Sequence, residues 1–107
     1  MQNSVIELVT FRCKEGVGAD AMSSTANAME AFLHAQAGFI YRSLSCDEDG
    51  LWHDIVYWQN LEAAQQAGEN FMQNALCQDM MAHIDTDTVR VRHMQACSEI
   101  MSLAESA

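Results

Sequence analysis

The chain has 107 residues, half of them apolar, which suits one domain and leaves no room for a second. Fifteen acids against five Lys and Arg give a net charge of −10, which would repel nucleic-acid phosphates and anionic membrane surfaces. No run approaches the roughly 18 apolar residues of a membrane span, and "MQNSVIELVTFRCK" lacks the basic flank and cleavage site of a signal peptide. The expectation is a cytoplasmic protein that binds neither nucleic acid nor membrane. Cys13, Cys46, Cys77 and Cys97 form no CxxC pair, so free, buried thiols are expected rather than a disulfide frame.

Proline is absent, so turns rest on Gly, Asp and Asn. "SVIELVTFRCK" (4–14) is β-branched and aromatic and predicts a strand that ends at "EGVG". "ADAMSSTANAMEAFLHAQ" sets Met22, Ala26, Met29, Phe32 and Leu33 on one helical face, with Gly38 as a stop just beyond. "FIYRSLSC" (39–46) and "LWHDIVYW" (51–58) flank "DEDG" and predict a hairpin. Asn60 caps the next helix, which Gly68 should break or bend before Phe71, Met72, Leu76 and Met80 resume its apolar face. "DTDTVRVRHMQA" (85–96) alternates as a fourth strand, and "CSEIMSLAESA" is expected as a short helix.

The order β-α-β-β-α-β predicts an α+β, ferredoxin-like domain over 1–107, with its core at about 4–95 and a C-terminal tail at 96–107. Two helices would cover one face of a four-stranded antiparallel sheet and leave the other bare. That bare face would carry Ile6, Leu8, His53, Ile55 and Tyr57. An apolar patch of this kind calls for a partner, so a homodimer through the sheet faces is expected.

A first strand ending in "KEG", "AGF" opening the second strand and W-x-N-x-E-A-A after the third resemble the dimeric α+β barrel superfamily. Within it, the resemblance is to antibiotic-biosynthesis-monooxygenase-like domains and covers about residues 4–95. It implies sheets paired face to face in a dimer and a pocket between sheet and helices with Trp58 in its wall. It also implies cofactor-free oxygenation of quinols or polycyclic aromatics as the activity to expect. The haem-degrading branch carries an asparagine in the first strand and a histidine about ten residues after the tryptophan. Here those positions hold Val9 (or Glu7 in the neighbouring register) and Gly68, which speaks against haem breakdown. The histidine that many quinol-type members carry in the second helix is also missing, near Asn70 and Phe71.

Strand alternation puts Trp52, Asp54, Val56 and Trp58 on one face. If the faces of the first and fourth strands coincide with it, Glu7, Asp54 and His93 converge beneath the helices, ringed by Trp52, Trp58 and Phe11. An Asp/Glu–His set is a proton-transfer device for an acidic phenol, and aromatic walls stack on a flat substrate. Asp54, His93 and Glu7 are therefore the candidate catalytic residues, and Trp58, Trp52 and Phe11 the candidate substrate contacts. No metal is expected, since His and Cys show no ligand spacing, and the resemblance implies that no cofactor is needed.

The same residues also fit plainer roles. Trp52 and Trp58 suit a packed core or an interface, and Asp54 could satisfy buried donors. Arg90 and Arg92, with Arg12 and Lys14 beside them, should pair with acids such as Asp85, Asp87 or a partner-subunit carboxylate, or else clamp an anion. Three functions stay open at this point: a small monooxygenase-like enzyme, a non-catalytic binder or sensor of small apolar ligands, and a structural or stress-related dimer with a filled core.

Overall fold

The fold is seen in a computed structural model, and the residues it describes are 3–103. The elements in chain order are β1 (Val5–Cys13), α1 (Ala19–Asn27), α2 (Glu30–His34), β2 (Phe39–Cys46), β3 (Trp52–Trp58), α3 (Leu61–Phe71), α4 (Ala75–Met81) and β4 (Ile84–Gln95). All strands pair antiparallel in the order β2-β3-β1-β4. This is the expected ferredoxin-like βαββαβ arrangement, with each helical layer divided in two.

Both divisions have local causes. The first falls at Ala28–Met29, where the Ala26 carbonyl accepts from the Met29 amide at 3.1 Å. It also accepts from the Arg42 side chain, at 3.1 Å. The second falls at Met72–Asn74 and not at Gly68, which sits inside an unbroken α3. The Asn74 carboxamide accepts from the Leu76 and Cys77 amides at 2.9 and 3.2 Å, so it starts a new helix as an N-cap. Asn60 caps α3 in the same way, accepting from the Ala63 amide at 2.8 Å. Residues 97–102 form no helix, and 104–107 lie outside the described residues.

The inner sheet face and the helices enclose one core cluster, in which Phe11, Met22, Trp58 and Cys77 are the most completely buried large side chains. Phe11 stacks on Trp52, with centroids 6.3 Å apart and planes at 3°. A bulge in the β1–β4 ladder lies between Thr10 and Arg12, where the Thr88 hydroxyl accepts from the Arg12 amide at 2.8 Å.

The hairpin turn is organised by Asp47, whose Oδ1 accepts from the Asp49 and Leu51 amides at 2.9 and 3.0 Å. The hydrogen bond from His53 and then that from Leu51 hold the Asp47 carboxyl below its usual range. No helix among the described residues is long and apolar enough to cross a membrane.

Gly38 joins α2 to β2 at φ 82°, and a Cβ there would lie 2.6 Å from the Ala63 Cβ. Gly16 has a similar φ of 86° but open space around it. Left-handed backbone costs an L-residue about 1–2 kcal/mol. Both Gly→Ala variants should therefore lose stability in thermal melts, with Gly38→Ala losing clearly more. Equal losses would show that the contact with Ala63 is not tight.

Candidate functional site

The register decides which side chains meet. Glu7 lies opposite Val56 on one side and His93 on the other; Val9 lies opposite Asp54 and Val91. The inner faces of β1, β3 and β4 thus coincide as the alternation requires. Above them lies a cavity of about 250 Å³. Its floor includes Glu7, Val9, Phe11, Asp54, Val56 and Trp58, and its roof Phe32, Leu33, Ala67, Gly68, Phe71 and Met80. The volume falls a little short of the roughly 300 Å³ at which pockets for drug-sized ligands begin. It suits a molecule of one or two fused rings.

Two polar clusters border this apolar space. In the first, Arg42 grips Asp54 with both arms of its fork: Nε donates to Oδ1 at 2.9 Å and Nη2 to Oδ2 at 2.7 Å. Both side chains are largely buried, 10% and 13% exposed. Nη1 goes on to the Ala26 carbonyl, and Nη2 lies 3.5 Å from the Met80 sulfur. One guanidinium therefore links β2, β3, the end of α1 and α4. Fork geometry is what makes Arg, rather than Lys, suited to this place.

The second cluster is built on Glu7. Its Oε1 accepts from the Trp58 indole N–H at 3.1 Å, and its Oε2 lies 3.4 Å from His93 Nε2. Glu7 is 20% exposed and His93 33%. Glu7 therefore faces the cavity while His93 reaches water. The indole bond fixes both partners, since Trp N–H can only donate and a carboxylate can only accept.

The expected convergence is thus split in two. Glu7, His93 and Trp58 are brought together, whereas Asp54 shares the cavity but is bound to Arg42 instead. Phe11 lines the cavity, but Trp52 does not: it is 7% exposed and stacked behind Phe11 as core. Arg42 is the residue that strand alternation did not single out. A signal was present, because Arg42 is paired with Val56, diagonal to Asp54 and within reach of a long side chain.

Within the chain, the described bases of β1 and β4 form no ion pair with Asp85 or Asp87. Arg12 donates to the Asp49 carbonyl at 2.8 Å, and Arg90 to the carbonyls of Asp87 and Val89 at 3.3 and 2.9 Å. Among the described residues neither Arg90 nor Arg92 pairs with a carboxylate, because both stand on the outer sheet face, opposite Thr10 and Leu8. The cysteines are free, but only Cys77 is buried; Cys46 and Cys97 are exposed. Burial pushes the Cys77 thiol up to about 11, opposed by the nearby Arg42 charge. Among the described residues no three His, Cys, Asp or Glu side chains gather in a metal-holding group.

Removing one partner of a buried pair strands the other, at a cost of about 3–5 kcal/mol. Arg42→Ala should lose that much in urea unfolding, and the double variant Arg42→Met, Asp54→Leu should recover most of it. Additive losses would contradict the pairing.

No protein-family model matches the chain, and no curated protein matches it. Solved structures do. SnoaB, a cofactor-independent oxygenase from Streptomyces nogalater, superposes with a TM-score of 0.69 at 18% identity, covering 94% of this chain and 99% of that one. A candidate antibiotic biosynthesis monooxygenase from Bordetella bronchiseptica gives 0.75 at 13% identity, with coverage of 91% and 100%. A similar protein from Caulobacter crescentus gives 0.72 at 12% identity, with coverage of 91% and 92%. At such identities the likeness is one of fold: the chain has the α+β fold of the antibiotic-biosynthesis-monooxygenase-like proteins.

Proposed function

We propose that the protein is a cofactor-independent, monooxygenase-like enzyme for a small phenolic or quinol-type aromatic, working as a homodimer. The observation that carries this reading is the Glu7 carboxylate in the wall of an apolar cavity, backed by a histidine whose side chain is one-third exposed, at 33%. The kinship of fold with a cofactor-independent oxygenase supports it.

In this reading a flat ring enters between Phe11, Val56 and Trp58, and its hydroxyl or acidic C–H faces Glu7. Glu7 accepts the proton, and His93 carries it outward to water. The resulting anion is electron-rich and sits among hydrocarbon side chains beside dioxygen. Oxygen adds at the activated ring carbon, which bears a hydrogen, and the peroxide anion takes a proton back by way of His93 and Glu7 to give a hydroperoxide. Loss of water then leaves one oxygen atom as a ring carbonyl. Trp58 has two tasks: its face bounds the ring site, and its N–H holds Glu7 in place. Asp54, taken up by Arg42, keeps the other polar corner of the cavity neutral as a pair and positions β2 and α4 around it. An open cavity of this size counts against a filled structural core.

The dimer rests on the sheet's outer face. Tyr41, Tyr57, Ile6 and Met94 align as one rung across all four strands, with Leu8 and Ile55 on the next. Tyr41 is 56% and Met94 40% exposed. A second copy laid sheet to sheet would cover this apolar band.

Oxygen uptake with a panel of hydroquinones, phenols and naphthols tests the chemistry. Glu7→Gln should lower kcat by about 10²–10⁴-fold, the usual share of a general base, and His93→Ala should lower it less, with recovery on adding imidazole. Asp54→Asn should act mainly through stability. Ligand binding without oxygen consumption would replace this reading with the non-catalytic binder.

Sedimentation at micromolar concentration should give twice the chain mass, and Ile55→Lys should give monomers that keep the fold. A monomeric wild type would remove the dimer from the account.

A further inference from the structure

Gly68 is the residue of α3 whose presence the fold does not explain. It lies in the interior of the helix, with no positive φ, so the backbone there does not require glycine. A Cβ added at Gly68 would meet nothing within 4 Å, so close packing does not require it either. Glycine inside a helix is otherwise a destabilising choice relative to alanine.

What Gly68 does is line the cavity, at its edge. Ala64 and Ala67 form the buried face of α3, and Asn70 marks the flank turned toward α2, donating to the Gln36 side chain at 2.8 Å. Gly68 lies on the opposite flank, in line with Leu61 and Met72, which are 44% and 69% exposed. Across the cavity from it stand Val89 and Val91 of β4, and Val91 is 52% exposed although it faces inward. The cavity therefore opens to solvent between the Gly68 turn of α3 and the edge strand β4.

We infer that Gly68 sets the size of ligand this cavity accepts: the missing side chain leaves the mouth wide enough for a two-ring aromatic. The inference rests on the proposed ligand cavity and extends it to a specificity-determining position. Any side chain at 68 would project into space that the structure keeps empty. A methyl group would narrow the mouth, and a branched aliphatic chain would fill it. A one-ring molecule would still fit beneath.

Calorimetric binding of 2-naphthol and of phenol to the full chain tests this without requiring turnover. Gly68→Ala should raise Tm by about 4–8 °C, as expected for a relieved helix glycine in a domain of this size. Gly68→Leu should weaken 2-naphthol by about tenfold or more and phenol by less than about threefold. Gln65→Leu, on the same flank one turn earlier, serves as the control and should change neither. Tight 2-naphthol binding that Gly68→Leu leaves unchanged, or an equal loss for both probes, overturns the size-setting role while leaving the cavity as a ligand site. Failure of the wild type to bind either probe overturns both.

Discussion

The bidentate bond between Arg42 and Asp54 is the constraint around which the interior is arranged. A carboxylate or a guanidinium under the helices would be costly alone. Joined fork to fork, with the spare donors of Arg42 spent on the Ala26 carbonyl and the Met80 sulfur, the two become a strut from sheet to helices. The strut explains two features at once. It supplies a second donor to the buried Ala26 carbonyl where α1 ends, and it bridges the layer between β2 and the Met80 sulfur of α4. Space remains beneath the helices where shorter apolar side chains would have closed it.

The same bond distributes the chemistry. Two carboxylates line the cavity, and with Asp54 engaged by Arg42 the proposed reaction assigns the role of base to Glu7. Glu7 is held by an indole N–H and faces an imidazole that water can reach. Apolar surroundings, one oriented carboxylate and one outlet for a proton are a modest set of parts. Deprotonating an acidic aromatic and shielding its anion asks for little more.

Much of this was legible in the residues. Alternation along "LWHDIVYW" placed Asp54 with Trp58, and the split crossover order placed Glu7 between them and His93; the register agrees. Alternation gives the face but not the depth along a strand, so Trp52 looked like a wall when it is core behind Phe11. Nor does it follow a long side chain: the reach of Arg42 across a diagonal to Asp54 shows only when the strands are aligned. Propensity alone predicts a break or bend at Gly68, whereas the new helix starts at Asn74, whose carboxamide satisfies two free amides. Tertiary packing outweighed the glycine penalty, and the penalty itself then became informative.

The central claim is that small aromatics occupy the space between Glu7 and the helices. The chain's two tryptophans offer an internal comparison, since Trp58 lines that space and Trp52 does not. The indole N–H resonances, followed by nitrogen–proton correlation spectra during titration with 2-naphthol, read the difference directly. The account predicts a large, saturable shift of the Trp58 signal, whose proton is bonded to Glu7, with the Trp52 signal nearly still. Equal shifts for both, or none for Trp58, would contradict it.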